Sequence, residues 1–135
     1  MKTLVPYFTF AGNCREAFEF YKECLKGEIT QMQTFEEAKM QVNDEFKNKI
    51  IHAEFRADDV YFMASDGMAG FVAVPGNNIS LNINLTDEKE QARIFAALSA
   101  GGKVTMPLED TFWGAKYGQL VDRYGVQWML NCSKQ

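Results

Sequence analysis

His52 and Glu54 are the residues best placed, by type and spacing, to do chemistry in this 135-residue chain. They stand at i and i+2 within the apolar stretch of residues 50–56. In an extended strand that spacing puts both on one face, roughly 6–7 Å apart. An imidazole beside a carboxylate can work as base and acid, or supply two ligands of a metal ion whose others come from elsewhere. The same pair can also be structural, a hydrogen-bonded polar pair lining a surface. His52 is the only histidine, which excludes a multi-histidine site within one chain.

Other residues offer contacts rather than chemistry. Ser80, Asn82 and Asn84 form a polar stripe, which either hydrogen-bonds a polar ligand or faces solvent. Tyr61, Phe112 and Trp113, with Phe8 and Phe10, are candidates for aromatic walls. Core packing is the stronger reading for Phe8 and Phe10. Cys14, at the start of a predicted helix, is either an acidic, reactive thiol or, the stronger reading, an inert one.

The elements that must position these residues come twice. Residues 4–10 read as a strand, broken at Ala11-Gly12-Asn13. Asn13, with Glu16 three residues on, is the expected capping box of a helix reaching about Leu25, whose Ala17, Phe18, Tyr21 and Leu25 follow a helical period. Residues 28–35 fit a second strand, and residues 50–56 and 60–65 a hairpin. Ala17-x-x-Phe20 with Gly27-Glu28-Ile29-Thr30 returns as Ala92-x-x-Phe95 with Gly102-Lys103-Val104-Thr105, at an offset of 75. Val60-x-Phe62-Met63 returns as Val126-x-Trp128-Met129, at an offset of 66. The first half therefore carries about nine extra residues, which fall in the charged stretch 36–49, a loop or a lid. In the second half, Leu81, Ile83 and Leu85 alternate with polar residues, Thr86 or Asp87 caps the next helix, and strands are expected over 103–113, 117–123 and 126–132. The expectation is an α+β chain of two tandem β-α-β-β-β modules, residues 1–66 and 79–135, joined by a linker at 67–78, with function where the copies meet.

Composition narrows the class. A hydrophobic content of 47% with 24% charged residues suits one ordinary globular domain. The net charge of −4, with no block of Lys or Arg, argues against nucleic acid or an anionic membrane as partner. No apolar run reaches the roughly 18 residues of a membrane span, and the N-terminal residues show no signal-peptide pattern. Cys14 and Cys24 sit ~15 Å apart on one helix, too far to bridge. Free thiols in a reducing cytoplasm follow.

Pro6-Tyr7, Phe10-Ala11-Gly12-Asn13-Cys14, Phe20-Tyr21, His52-Ala53-Glu54, Ser65-Asp66, Thr111-Phe112-Trp113 and Gly125-Val126-Gln127-Trp128-Met129 span nearly the whole chain. With the repeat, they resemble the vicinal oxygen chelate superfamily, which includes glyoxalase I, bleomycin-resistance proteins and extradiol dioxygenases, and more specifically its PhnB-like branch. Some members of that branch carry a demethylubiquinone methyltransferase label. A nucleotide-type cofactor calls for a glycine-rich turn between strand and helix, and the turn here has one glycine, Gly12. The resemblance implies curled mixed sheets with helices outside, whose concave faces form a cup for substrate and often for a divalent metal. Strand parity then sends Ile51, Ala53 and Phe55 to the core and His52, Glu54 and Arg56 to the cup. Likewise Ser80, Asn82, Asn84, Gln127, Met129 and Asn131 face the cup.

Metal-dependent relatives place a His or Glu on the first and last strand of each module. Those positions fall here near Pro6, Met63, Ser80 and Met129, to within about one residue, and none is a good ligand for a divalent first-row ion. Two functions follow. One is a binding module that holds a small polar molecule through Ser80, Asn82, Asn84, Tyr61, Trp113, Gln127 and Met129. The other is a glyoxalase-like, metal-assisted lyase in which His52 and Glu54 are catalytic or metal-ligating. The resemblance also implies a homodimer, for which Phe71, Val72 and Val74 in the linker are candidate contacts.

Overall fold

Each half of the repeat builds one four-stranded mixed sheet and one helix. The computed structural model describes residues 1–134 and divides into two units. The first, Met1–Val74, holds β1 (Tyr7–Phe10), α1 (Cys14–Leu25), β2 (Glu28–Thr34), β3 (Ile50–Ala57) and β4 (Val60–Asp66). The second, Pro75–Gln135, holds β5 (Leu81–Leu85), α2 (Glu88–Ser99), β6 (Lys103–Asp110), β7 (Ala115–Val121) and β8 (Gln127–Ser133). The strand orders are β1-β4-β3-β2 and β5-β8-β7-β6. In each sheet the first strand runs parallel to the last, and the other neighbours are antiparallel.

The repeat extends to residue register. Tyr7, Met63, Glu54 and Gln31 form one row across the first sheet. Asn82, Met129, Gln119 and Met106 form the matching row of the second. The repeated glycines have a packing reason. A Cβ on Gly27 would meet the Arg56 carbonyl oxygen at 2.7 Å, and one on Gly102 would collide with the carbonyl oxygen of Val121. Arg56 and Val121 hold the same place in the two ladders, each paired with the residue two before the Met row. Gly102→Ala is therefore expected to cost about 2–3 kcal/mol, as overpacking against backbone does, read as a lower urea midpoint with unchanged slope.

Helix α1 buries Cys14, Ala17, Phe18, Tyr21, Cys24 and Leu25, one stripe at helical spacing. Below it, Phe55 and Phe62 stack at 4.7 Å, and Phe18 meets them edge-on at 6.1 and 5.6 Å. Phe8 lies 4.9 Å from Phe62, and Phe10 is buried, so both belong to this core. In the second unit α2 buries Gln91, Ile94, Phe95 and Leu98, and Trp128 and Leu130 of β8 are fully buried.

Three local expectations need correcting. Asn13 makes no side-chain cap. The Asp66 carboxylate at the end of β4 does that work, accepting from the Gly12 and Cys14 amides at 2.8 and 3.0 Å and from Ile50 N at 2.9 Å. In the second unit Asp87 caps α2 itself, accepting from Lys89 N at 2.9 Å. Second, Ile51 is not the core residue of its strand start. The β2–β3 ladder slips between Gln33 and Thr34, which turns Ile50 inward and leaves Ile51 half-buried. Third, β5 begins at Leu81, so Ser80 lies outside it and is exposed.

The long insertion is tied at its base. The Phe35 and Phe46 ring centroids lie 4.9 Å apart, Phe35 N donates to Lys49 O, and Lys49 Nζ donates to Gly12 O at 3.0 Å. Cys14, Cys24 and Cys132 are buried and form no disulfide with one another. Burial, followed by the nearby Asp66 charge, pushes the Cys14 thiol up to about 12, which makes it the inert rather than the reactive kind.

Candidate functional site

On β3, positions 53 and 55 are buried in the aromatic core, so parity turns His52, Glu54 and Arg56 to the opposite face. There the first unit carries a continuous hydrogen-bonded chain. His52 Nε2 lies 2.9 Å from Glu54 Oε2, and Tyr61 Oη donates to Glu54 Oε1 at 2.8 Å. Tyr7 Oη lies 3.3 Å from His52 Nδ1. The Arg56 guanidinium sits over the Tyr61 ring, 4.7 Å from its centroid. The structure thus brings His52, Glu54, Tyr61 and Tyr7 into one hydrogen-bonded chain.

The protonation pattern follows from the partners. The Tyr61 and His52 hydrogen bonds hold the Glu54 carboxyl below its ordinary value, and the same bond from Tyr61 raises the phenol. Glu54 is then a carboxylate that only accepts, so His52 Nε2 carries a proton and donates to it. In the neutral ring Nδ1 is left as an acceptor, and Tyr7 Oη donates to it. The sign for stability is that of a depressed carboxyl. The contribution is present above the unfolded value of ~4.3 and is lost as pH falls through the folded one. Glu54→Gln is therefore expected to lower stability at neutral pH, where the contribution is fully present, and to converge on wild type as pH falls below about 4, read by urea unfolding across pH.

The second unit has its own polar face. Asn82 Nδ2 donates to Asn84 Oδ1 at 2.9 Å, and Gln119 Nε2 donates to Tyr117 Oη at 2.8 Å. Gln127 spends its amide on the Ile79 carbonyl at 2.9 Å, and Met129 stands opposite Asn82 and Gln119. Trp113 lies in the β6–β7 turn, in ring contact with Phe112 at 5.0 Å and Tyr117 at 5.8 Å. Ser80 precedes β5 and makes none of these hydrogen bonds. Tyr117 and Gln119 were not singled out by sequence. Their signal was the repeat: they occupy in β7 the register of His52 and Glu54 in β3.

Residues 2–131 match the family described as 3-demethylubiquinone-9 3-methyltransferase. The chain belongs to that family. It is 33% identical to Protein YjdN of Escherichia coli over 98% of this chain and 96% of the relative. The crystal structure of protein PA1353 from Pseudomonas aeruginosa is 38% identical, with a TM-score of 0.85 and 98% of each chain covered. The putative 3-demethylubiquinone-9 3-methyltransferase, PhnB protein, from Bacillus cereus is 27% identical with a TM-score of 0.77, over 98% of this chain and all of that one. A glyoxalase-related enzyme from Fulvimarina pelagi, 15% identical with a TM-score of 0.62 over 98% and 89%, shares the fold. This is a PhnB-like chain with the glyoxalase-like fold.

Two groups that such a family suggests can be tested against these residues. A methyl donor of nucleotide type would need free amides at the β1–α1 turn, but Gly12 N and Cys14 N both donate to Asp66 Oδ1. A resident divalent metal would need a cluster of hard or borderline donors. The outer-strand positions hold Tyr7 opposite Met63 in one unit, within one residue of the expected Pro6, and Asn82 opposite Met129 in the other, two residues from the expected Ser80. Among the described residues no three His, Cys, Asp or Glu side chains gather as a metal set. Neither group fits the donors present.

Proposed function

We propose that this PhnB-like protein binds a small polar molecule on the polar face of its first sheet, with hydrogen-bonding groups of its own and without the four-ligand metal site of metal-dependent relatives. The chain Tyr7–His52–Glu54–Tyr61 carries this reading. It is a partly exposed set of oriented donors and acceptors on three hydrogen-bonded strands, β1, β4 and β3, backed by a packed aromatic core. The second sheet adds the neutral groups of Asn82, Asn84, Tyr117, Gln119 and Gln127 on a face of its own. Metal analysis of the purified protein is expected to find well under one divalent ion per chain. One ion per chain, lost in His52→Ala, would overturn the reading.

The alternative is a metal-assisted lyase with His52 and Glu54 as ligands or as base and acid. The 2.9 Å contact between them favours it, since an oriented imidazole–carboxylate pair is a proton-transfer device. We place the protein in the cytoplasm, in keeping with three cysteines that form no disulfide with one another. Among the described residues no helix is long and apolar enough to cross a membrane. We also propose a homodimer, because Phe71, Val72 and Val74 are exposed and apolar. Light scattering at micromolar concentration should give twice the chain mass, and a monomer would count against it.

A further inference from the structure

The two modules provide an internal comparison. At one register each sheet carries a hydrogen-bonded pair spaced i and i+2, His52 with Glu54 in the first and Tyr117 with Gln119 in the second. The neutral Tyr–Gln pair makes the same cross-link at 2.8 Å, so tying the face together needs no charge. In the place of Asn82, which bonds to Asn84, the first module has Tyr7, which turns to His52. Only the first copy therefore joins a phenol, an imidazole and a carboxylate in series. Tyr7 is its outer end, 47% exposed, while the His52 and Glu54 side chains are 28% and 26% exposed.

We propose that Tyr7 is the ligand-facing group of a proton relay, with His52 as positioning residue and Glu54 as counter-charge, and that its ligand is a weak oxygen acid such as a phenol or an enol. The ligand O–H gives its proton to Tyr7 Oη as Tyr7 gives its own to His52 Nδ1. The products are a ligand oxyanion hydrogen-bonded to a neutral Tyr7 and an imidazolium hydrogen-bonded to Glu54. Only O–H and N–H bonds change. The neighbours suit this exchange: β2 sets neutral Gln33 and Gln31 beside His52 and Glu54, and the Arg56 cation on β3 is engaged with the Tyr61 ring. Loose apo contacts such as the 3.3 Å from Tyr7 to His52 are ordinary for groups that tighten on ligand.

This inference deepens the ligand-binding reading and is tested apart from it. His52 is the only histidine, so its two ring nitrogens give two assignable signals in long-range 1H–15N spectra of the full chain. Above the ordinary imidazole range, wild type should show Nε2 protonated and Nδ1 accepting a hydrogen bond. In Tyr7→Phe the Nδ1 signal should move to its unbonded position while Nε2 stays, and in Tyr61→Phe Nδ1 should stay. A proton on Nδ1, or an Nδ1 signal indifferent to Tyr7→Phe, overturns the relay. The second arm uses 4-nitrophenol, whose anion alone absorbs visible light. Wild type should raise its ionised fraction at fixed pH, and Tyr7→Phe should not. Equal ionisation with both proteins, or none with either, overturns the proposal. Binding of the probe without ionisation overturns it too, while the ligand-binding reading then stands.

Discussion

Replacing Asp66 with alanine is expected to remove about 3–5 kcal/mol of stability, as much as truncating a large core side chain. The carboxylate is buried and holds three amides, those of Gly12, Cys14 and Ile50. Each donor left without a partner away from water costs about 1–3 kcal/mol, and Gly12, being part-exposed, lies at the low end. The same bonds tie the β1–α1 turn to the start of β3, so α1 loses both its cap and its anchor. Asp66→Asn should fall between, because an amide oxygen can still serve Gly12 and Cys14 while its NH2 opposes the Ile50 amide. Urea unfolding gives the order wild type, Asn, Ala. A loss below about 1 kcal/mol in Asp66→Ala would mean that water replaces the carboxylate.

Replacing His52 with alanine should do the opposite, sparing the fold and removing function. Its ring is partly exposed and belongs to the polar face, so the stability cost should stay within about 1 kcal/mol. Ligand affinity should fall about 10- to 100-fold, the worth of a hydrogen bond that involves a charged group. Calorimetry with any ligand found for the wild type checks the affinity, and thermal unfolding checks the fold. A variant that unfolds far more easily yet binds unchanged would make His52 a structural histidine.

Features that depend on local spacing were legible in the sequence. Gly27 and Gly102 marked the repeat because each turn must pass against a carbonyl of the neighbouring strand end. The alternation of Ala53 and Phe55 with His52 and Glu54 placed the latter pair on one face, since a strand has period two. Features that depend on distant partners were not legible. Asp66 lies 52 residues from Cys14 and 16 from Ile50, so nothing local distinguishes it from an ordinary strand-end acid. The bulge beside Ile50 shifted one residue of the expected core, because a single inserted residue breaks parity without a sequence signal. Tyr117 and Gln119 carry no local signal, because a neutral Tyr–Gln pair on a strand is indistinguishable in sequence from an ordinary polar surface. The Met63 and Met129 register points to them once the two halves are aligned.

The most direct test is a fragment screen by 1H–15N correlation spectroscopy on chelator-treated protein. Small oxygen-bearing fragments should shift the amides of Tyr7, His52, Glu54 and Tyr61 with no metal added, and restoring zinc or manganese should leave those shifts unchanged. Shifts that appear only once metal is restored, or that map away from the polar face of the first sheet, would contradict a metal-free ligand site there.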